Sequence, residues 1–301
     1  MVRVRLDGIF IPSVTPFTHD GDIDTDSFGI LIDEWLKHGV AGLVVNASTG
    51  EGPLLSREEQ ISQLELALEK VKGKAMVIAG TGAAGTRKTI DLTRDAKDCG
   101  VEAALIVTPY FFRPTDEELF QHYSSVLNAI DLQVIIYNVP KFTGYSIKPS
   151  VIERIANEHA GLIGVKDSSG DPGMVAEVIR LVGNKVDVLS GAADVILPTL
   201  NLGGKGAILA IANFAPALCV GLYDAFKAGN QCEAGKLQLK ASFINKILVR
   251  DHSQVAAIKT AMNHRGWPAG VPRRPLLPLQ HREEREVVEA LKSEGFLSER
   301  S

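Results

Sequence analysis

A lysine ends a short and otherwise apolar segment of the sequence. Lys166 closes residues 162–166, in which every other residue is aliphatic or glycine. At the inner end of a buried strand a lysine is desolvated, which lowers the pKa of its ammonium group and makes the free amine available as a nucleophile. The alternative is that Lys166 emerges into solvent and pairs with Asp167. The lysine therefore predicts covalent catalysis if its strand ends in an enclosed site.

Two other apolar segments end in groups that complement a nucleophilic amine. Tyr137 lies near the end of residues 133–138, and Ser48, Thr49 and Gly50 follow residues 42–46. Hydroxyl groups and backbone N–H groups freed by a glycine turn can hold a carboxylate without a cation. A tyrosine at a strand end is usually a packed amphipathic side chain, but beside a lysine it can move protons. Together these groups predict attack on a ketone carbonyl that lies next to a carboxylate.

Short apolar segments recur along most of the chain and set the fold prediction. They are residues 8–13, 42–46, 75–79, 103–107, 133–138, 162–166, 186–190 and 206–210. Continuous runs of valine, isoleucine and leucine indicate strands buried on both faces, as in a parallel sheet. Their starts are 20 to 34 residues apart, which leaves room for one crossover helix in each gap. This pattern predicts an α/β fold, a closed (β/α)8 TIM barrel, and a doubly wound open sheet is the alternative.

Helix starts are marked between the apolar segments. Ser56 with Glu59, and Thr115 with Glu118, have the spacing of capping boxes. We expect helices from these positions to about Val71 and Ala129. We assign residues 1–228 to the barrel and residues 229–301 to a C-terminal helical domain packed on it. Its predicted helices cover residues 231–249, 254–265 and about 283–294.

Composition excludes several classes of protein. The chain has 301 residues, 45% of them hydrophobic, and a formal net charge of −4. It is too apolar for a disordered chain and lacks the basic surface that nucleic acids or anionic membranes require. The three cysteines make no disulfide framework, and the N-terminal segment has no secretory pattern, so we expect a cytoplasmic protein. The uncharged residues 206–223 are interpreted as a strand, a turn and a helix rather than a membrane span.

One glycine motif resembles a dinucleotide-binding fingerprint. Gly80, Gly82 and Gly85 form the pattern G-x-G-x-x-G after a predicted strand. The fingerprint also needs an acidic residue at the end of the next strand, whereas Glu102 precedes that strand. We therefore interpret these glycines as tight-turn residues. The seven histidines and three cysteines share no metal-ligand spacing, so no metal site is predicted.

The ordered motifs make the chain resemble the dihydrodipicolinate synthase / N-acetylneuraminate lyase family of Schiff-base pyruvate aldolases and lyases. The resemblance runs from Gly8 to about Leu279. The motifs are Thr15-Pro16-Phe17, Ser48-Thr49-Gly50-Glu51, Gly80-Thr81-Gly82, Thr108-Pro109-Tyr110, Tyr137-Asn138-Val139-Pro140, Gly164-Val165-Lys166-Asp167 and Ser190-Gly191.

The resemblance implies a role for each matching residue. Lys166 would form an imine with pyruvate or another 2-oxo acid, and Tyr137 would relay protons. Ser48 is implied as a catalytic and substrate-binding residue. The other implied substrate-binding residues are Thr49, Gly50, Ile208 (through its backbone), Gly191 and Phe142. The resemblance also implies no cofactor or metal, and a homotetramer built as a dimer of dimers.

Three departures from the synthase pattern bear on the substrate. Synthases normally carry an arginine where this chain has Phe142, and a second tyrosine where it has Phe111. The positions expected to bind feedback lysine hold Ala84 and Lys88. A phenyl ring cannot replace a guanidinium that binds a carboxylate with two hydrogen bonds. These differences argue against the synthase reaction.

Our first hypothesis is therefore a class I lyase or aldolase that cleaves or forms a 2-keto-3-deoxy or 4-hydroxy-2-oxo acid, with pyruvate as one partner. The alternative is 4-hydroxy-tetrahydrodipicolinate synthase, which condenses pyruvate with aspartate semialdehyde, or a related 2-keto-3-deoxy acid dehydratase. A barrel that senses a 2-oxo acid without turnover is a further hypothesis from a different class.

Overall fold

Eight parallel strands form a closed barrel in the computed structural model, which describes residues 3–298. Each strand pairs with the next in the sequence, and the last pairs with the first. The strands are β1 (Gly8–Pro12), β2 (Gly42–Val45), β3 (Met76–Gly80), β4 (Ala103–Val107), β5 (Gln133–Asn138), β6 (Leu162–Asp167), β7 (Asp187–Ser190) and β8 (Gly206–Ile208). The TIM-barrel prediction is confirmed, and no strand end differs from its predicted position by more than two residues.

Helices connect the strands and surround the barrel. They are α1 (Thr25–Leu36), α2 (Arg57–Val71), α3 (Thr86–Cys99), α4 (Asp116–Ala129), the short α5 (Pro140–Thr143), α6 (Pro149–Glu158), α7 (Pro172–Val182), α8 (Ile196–Asn201) and α9 (Pro216–Lys227). Both predicted capping boxes are present, at the starts of α2 and α4. Each box satisfies N–H groups that would otherwise lack partners at a helix start.

The strands are buried on both faces, as their composition predicts. Along β5, Ile135 and Tyr137 point into the barrel, whereas Val134 and Ile136 pack against the helices. This alternation follows from the two-residue period of a strand. It directs Tyr137 inward, and pairing with β6 sets Lys166 beside it.

Residues 206–223 form the strand, turn and helix that were predicted. β8 ends at Ile208, a 3-10 turn covers Ala210–Asn213, and Pro216 is the first residue of α9. Within residues 3–298, none of the helices combines the length and hydropathy that a bilayer span requires.

Helices α10 (Gln231–Asn245), α11 (Gln254–His264) and α12 (His281–Ser293) follow the barrel. A π-helical segment, Lys246–Arg250, continues α10 over the rest of the range predicted as one helix. Buried residues of these helices, such as Ile244, Ile258 and Leu291, belong to the apolar cluster between the strands and the outer helices. The assignment of residues 229–301 to a separate domain stays a prediction.

Candidate active site

Lys166 and Tyr137 lie side by side at the carboxyl ends of their strands. The Cα atoms of the two residues are paired across β5 and β6, and the Lys166 Nζ atom lies 4.0 Å from the centroid of the Tyr137 ring. In TIM barrels the catalytic groups collect at this end of the strands. The strand register thus brings together the predicted nucleophile and the predicted proton carrier.

Lys166 is enclosed rather than solvated. Only 3% of the residue is exposed, and its burial lowers the pKa of the ammonium group, an effect that the charge and hydrogen bond of Tyr137 oppose. Asp167 accepts hydrogen bonds from Asn138 Nδ2 at 2.7 Å and from the Ser169 backbone N–H at 3.0 Å. The alternative in which Lys166 emerges into solvent and pairs with Asp167 is therefore wrong.

A glycine on the neighbouring strand end makes room for the lysine side chain. A Cβ atom on Gly191 would lie 3.0 Å from Lys166 Cε and 2.0 Å from Ser168 Oγ. A contact of 2.0 Å is not tolerated and one of 3.0 Å is unusually tight, so a side chain here would displace Ser168 Oγ and crowd the lysine. The predicted binding residue Gly191 thus lies against the predicted nucleophile.

The hydroxyl loop has the free donors that its sequence indicates. Among residues 3–298, no protein group accepts a hydrogen bond from the backbone N–H of Ser48, Thr49 or Gly50. Thr49 is buried, and Ser48 is partly exposed at the barrel mouth. A Cβ atom on Gly50 would lie 2.6 Å from the Ser13 carbonyl oxygen, so the loop packs too tightly against β1 for a larger residue. The loop therefore presents hydroxyl and N–H donors that suit an anion.

Two adjoining cavities lie at the barrel mouth. The larger, of about 500 Å³, is lined in part by Ser48 and Tyr110, and the smaller, of about 240 Å³, by Thr49, Lys166 and Gly191. Both are lined by Tyr137, Val139, Lys141, Phe142 and Gln254. Together they provide an enclosed end at the lysine and an open end toward solvent.

Phe142 lies at the open end of these cavities. It belongs to α5, and 49% of the residue is exposed. The neighbouring Lys141 Nζ donates to the Val249 carbonyl oxygen at 2.8 Å, and burial lowers the pKa of Lys141. Phe142 itself supplies no cation, the ammonium group of Lys141 already has a protein acceptor, and Arg250, which also lines the smaller cavity, pairs with Asp194 at 3.4 Å.

The remaining predicted residues are less directly placed. The Ile208 side chain packs inside the barrel and is 1% exposed, and its predicted role belongs to its backbone. Phe111 is 89% exposed with a backbone φ of +79°, and its ring meets that of Phe112 edge to face. Ala84 and Lys88 are both exposed.

The glycine motif has a structural explanation, but not the one predicted. None of its glycines has a positive φ. Instead, a Cβ atom on Gly80 would lie 2.6 Å from the Asn46 carbonyl oxygen, and one on Gly82 would lie 2.6 Å from Val107. Two of these glycines therefore permit close packing of β3 against its neighbours. Glu102 accepts from the Val77 backbone N–H at 2.9 Å, near the opposite ends of the strands.

Sequence reasoning missed the contribution of the C-terminal helices to the mouth. Gln254, the first residue of α11, lines both cavities and donates from Nε2 to Thr49 Oγ1 at 3.4 Å. More than 200 positions separate these two residues, so no local pattern could pair them. In the described part of the chain, histidine, cysteine, aspartate and glutamate form no group of three or more that could hold a metal ion.

Comparison with known proteins identifies the family. The model of the dihydrodipicolinate synthetase family matches residues 5–294. The chain belongs to this family. Its members are pyruvate-dependent lyases and aldolases that act through a lysine Schiff base and need no external cofactor. The resemblance inferred from the motifs is thereby confirmed.

Individual family members favour one of the two reactions considered. The chain is 35% identical over 294 residues to 4-hydroxy-tetrahydrodipicolinate synthase of Nitratidesulfovibrio vulgaris strain DP4, covering 98% of this chain and all of that one. It is 37% identical over 290 residues to the enzyme of the same name from Thermodesulfovibrio yellowstonii, covering 96% and 99% of the two chains.

The crystal structure of the chloride-inhibited dihydrodipicolinate synthase of Acinetobacter baumannii, complexed with pyruvate, has a TM-score of 0.93 to this chain. Sequence identity is 32%, and the match covers 97% of this chain and all of that one. These relatives support the synthase, our alternative, better than our first hypothesis of a sugar-acid lyase.

Proposed function

We propose that Lys166 forms an imine with pyruvate and that this family member uses it to make or break a carbon–carbon bond. The observation that carries the proposal is the enclosed Lys166 amine beside Tyr137, with a loop of free donors at the same barrel mouth. A desolvated lysine holds less of its population as ammonium, so more of it is nucleophilic. Ser48, Thr49 and Gly50 would bind the pyruvate carboxylate.

The chemistry follows from this arrangement. The amine adds to the C2 carbonyl carbon, and loss of water leaves a protonated imine. This group withdraws electrons from C3, so that loss of a C3 proton gives an enamine, which attacks an aldehyde carbon. The new alkoxide takes up a proton. Lys166 is then released either by water, which leaves an open-chain 4-hydroxy-2-oxo acid, or by an amino group of the acceptor, which attacks C2 and closes a ring. We assign Tyr137, whose ring centroid lies 4.0 Å from Lys166 Nζ, to carry these protons.

Aspartate semialdehyde is the acceptor that we assign, which makes the chain a 4-hydroxy-tetrahydrodipicolinate synthase. This assignment rests on the relatives that bear this name at 35% and 37% identity. The bound pyruvate in a structural neighbour supports the first substrate.

The mouth of the cavity favours a second candidate, cleavage of a 2-keto-3-deoxy or 4-hydroxy-2-oxo acid to pyruvate. Phe142 lines both cavities where the synthase pattern has an arginine. A phenyl ring in place of a guanidinium cannot form the two hydrogen bonds that would bind an incoming carboxylate. The guanidinium that does line the smaller cavity, Arg250, lies 3.4 Å from the carboxylate of Asp194, so the side of the site near Phe142 suits a partner without a carboxylate there.

A direct assay distinguishes the candidates. We expect pyruvate to be consumed in the presence of aspartate semialdehyde, with turnover lost in Lys166→Ala. Release of pyruvate from 2-keto-3-deoxy acids, without consumption of the semialdehyde, would contradict the synthase and support the lyase. Loss of water from those acids without pyruvate release would indicate the dehydratase.

We also assign a homotetrameric assembly and a cytoplasmic setting to the protein. The adjacent Phe111 and Phe112 rings are 89% and 75% exposed, an apolar pair suited to burial against a second copy of the chain. The family pattern places the second residue of the Tyr110-Phe111 pair in the neighbouring subunit's site. The three free cysteines suit a reducing compartment.

A further inference from the structure

A second buried lysine forms an ion pair behind the hydroxyl loop. Lys259 Nζ donates to Glu51 Oε1 at 2.6 Å, and the two side chains are 1% and 0% exposed. The same nitrogen donates to the carbonyl oxygens of Thr15 at 2.6 Å and Val271 at 2.8 Å. Burial lowers the pKa of Lys259 to about 8, but all three ammonium protons have acceptors, so the hydrogen bonds hold this lysine away from nucleophilic attack.

Glu51 is the residue immediately after the loop that holds Ser48, Thr49 and Gly50. Its backbone has a φ of +59°, a conformation that costs a non-glycine residue free energy. Its backbone N–H donates to the Ser48 carbonyl oxygen at 3.1 Å, which closes the turn. The orientation of the loop thus depends on keeping Glu51 in a backbone conformation that it would not otherwise prefer.

Both carboxylate oxygens of Glu51 are held by the C-terminal part of the chain. Oε1 accepts from Lys259 on α11, and Oε2 accepts from the Arg273 backbone N–H at 2.8 Å. The Thr15 hydroxyl donates to the Gly50 carbonyl oxygen at 2.7 Å, and Lys259 binds the Thr15 carbonyl. Loop, β1 end and α11 are therefore joined through one ammonium group.

The same helix also orients a hydroxyl of the loop. Gln254 on α11 donates to Thr49 Oγ1. Because this oxygen accepts from the amide, the hydroxyl proton of Thr49 stays available for another acceptor, such as a carboxylate. Helix α11 thus holds Glu51, at the end of the loop, through Lys259, and it orients the Thr49 hydroxyl through Gln254.

We infer that Glu51 and Lys259 are positioning residues that hold the Ser48–Thr49–Gly50 loop in the geometry that binds the pyruvate carboxylate. Burying two charges is costly, and such pairs often add little net stability, whereas they can fix one arrangement of a structure. Here the arrangement fixed is that of three free N–H groups. The inference rests on the proposed function, because it gives the loop a carboxylate to bind.

Pyruvate titration with borohydride trapping measures this effect without an acceptor aldehyde. The variants are Glu51→Gln, Lys259→Met and the double variant, which contains neither charge and remains testable if Lys259→Met fails to fold. A carboxylate contact is made in the ground state and in the transition state alike, so its loss weakens binding without slowing chemistry at saturation. We expect the pyruvate concentration for half-maximal trapping to rise about tenfold or more, with trapping at saturation changed less than about threefold.

A control separates loop position from attachment of the C-terminal helices. The Arg273 side chain forms two hydrogen bonds with Glu59 on α2, at 2.6 and 2.7 Å, whereas Glu51 is bound by the Arg273 backbone N–H. Glu59→Gln should lower the melting temperature and leave the pyruvate titration unchanged.

Three results decide the matter. A lower melting temperature with an unchanged titration in the Glu51 and Lys259 variants would overturn the inference and leave a purely structural ion pair. Restoration of the melting temperature and of the pyruvate titration in the double variant would overturn the inference as well. Absence of any pyruvate adduct in the unsubstituted protein would instead refute the proposed function itself.

Discussion

The surroundings of Lys166 leave its amine without a carboxylate partner at Asp167 and leave space for its side chain. Lys166 does not pair with Asp167, because that carboxylate is bound by Asn138 and Ser169, and it has room because the adjoining strand is followed by Gly191. Burial then lowers its pKa. The site thus holds a buried amine in a poorly solvated place, an arrangement that serves reactivity at the expense of stability.

Replacing this lysine should make stability less dependent on pH. The folded-state pKa of Lys166 is lowered from 10.5, so between that lowered pKa and 10.5 the unfolded chain binds more protons. Raising the pH through this window therefore stabilises the native protein. Lys166→Met removes this dependence. We therefore expect the variant to have the larger free energy of unfolding near pH 7, and the difference between variant and native protein to narrow toward pH 10.5. Denaturant unfolding of both proteins across this range tests it; a constant difference would contradict the account.

Gly191→Ala tests whether the lysine needs the space beside it. The added methyl group would displace Ser168 Oγ, at 2.0 Å, and crowd Lys166 Cε and the Asp167 carbonyl oxygen, both at 3.0 Å. We expect imine formation to slow by about tenfold or more, because small misplacements of a reacting group are costly. Gly235→Ala is the matched control, because a Cβ atom on Gly235 meets nothing within 4 Å. Unchanged trapping in Gly191→Ala would contradict this explanation.

The site residues at strand ends could be predicted from the sequence, because each lies at or just after the end of an apolar run. Lys166, Tyr137 and the Ser48 loop follow continuous apolar runs, and the closed barrel brings those ends together. Gln254 and Lys259 were missed because they act across more than 200 residues. In the sequence, Lys259 stands out only as a charged residue on the apolar face of a helix. That pattern does not predict that its partner is Glu51.

At the scale of elements, a buried histidine lies at the contact between α3 and α4. His122 on α4 shares a 2.9 Å hydrogen bond between Nδ1 and Thr86 Oγ1 at the start of α3, and the residue is 4% exposed. Among residues 3–298, its Nε2 atom has no hydrogen-bond partner. Burial lowers the pKa of His122 from 6.5 to about 4.

This histidine should make the protein acid-sensitive. Between pH 6.5 and 4 the unfolded chain binds a proton that folded His122 does not, so the free energy of unfolding falls as the pH is lowered. A shift of this size corresponds to about 3 kcal/mol over the whole window. His122→Gln should lose that part of the decline, which unfolding measurements at about pH 7 and pH 4.5 can detect. Parallel declines in both proteins would show that other groups dominate.

The elements themselves were predictable because local signals agreed with the fold. Capping boxes marked the starts of α2 and α4, and the helix predicted at the end of residues 206–223 is α9. The π-helical turn at Lys246–Arg250 was not predictable, because its sequence continues the helical pattern of α10. The turn nonetheless contributes Val249 and Arg250 to the smaller cavity.

At the scale of the molecule, the barrel mouth is continuous with an exposed aromatic pair. Phe111 and Phe112 follow Tyr110, which lines the larger cavity. If this pair joins two subunits, assembly and the acceptor side of the site are linked. The comparisons cover nearly the whole chain, so barrel and C-terminal helices are shared with the synthases together.

Substitution of the aromatic pair tests the assembly. We expect the native protein to be a tetramer by light scattering, and Phe111→Ser with Phe112→Ser to yield dimers or monomers. Leu239→Ser is a control at a hydrophobic residue that is 74% exposed on α10. A tetramer that survives the double substitution would remove these rings from the interface.

The most direct test of the central claim is reduction with borohydride in the presence of pyruvate, followed by peptide mass spectrometry. Imine formation predicts a single pyruvate-derived adduct on Lys166, with none on Lys259, whose ammonium group is fully hydrogen-bonded. A folded protein that carries no adduct on Lys166, or carries it on another lysine, would contradict the account.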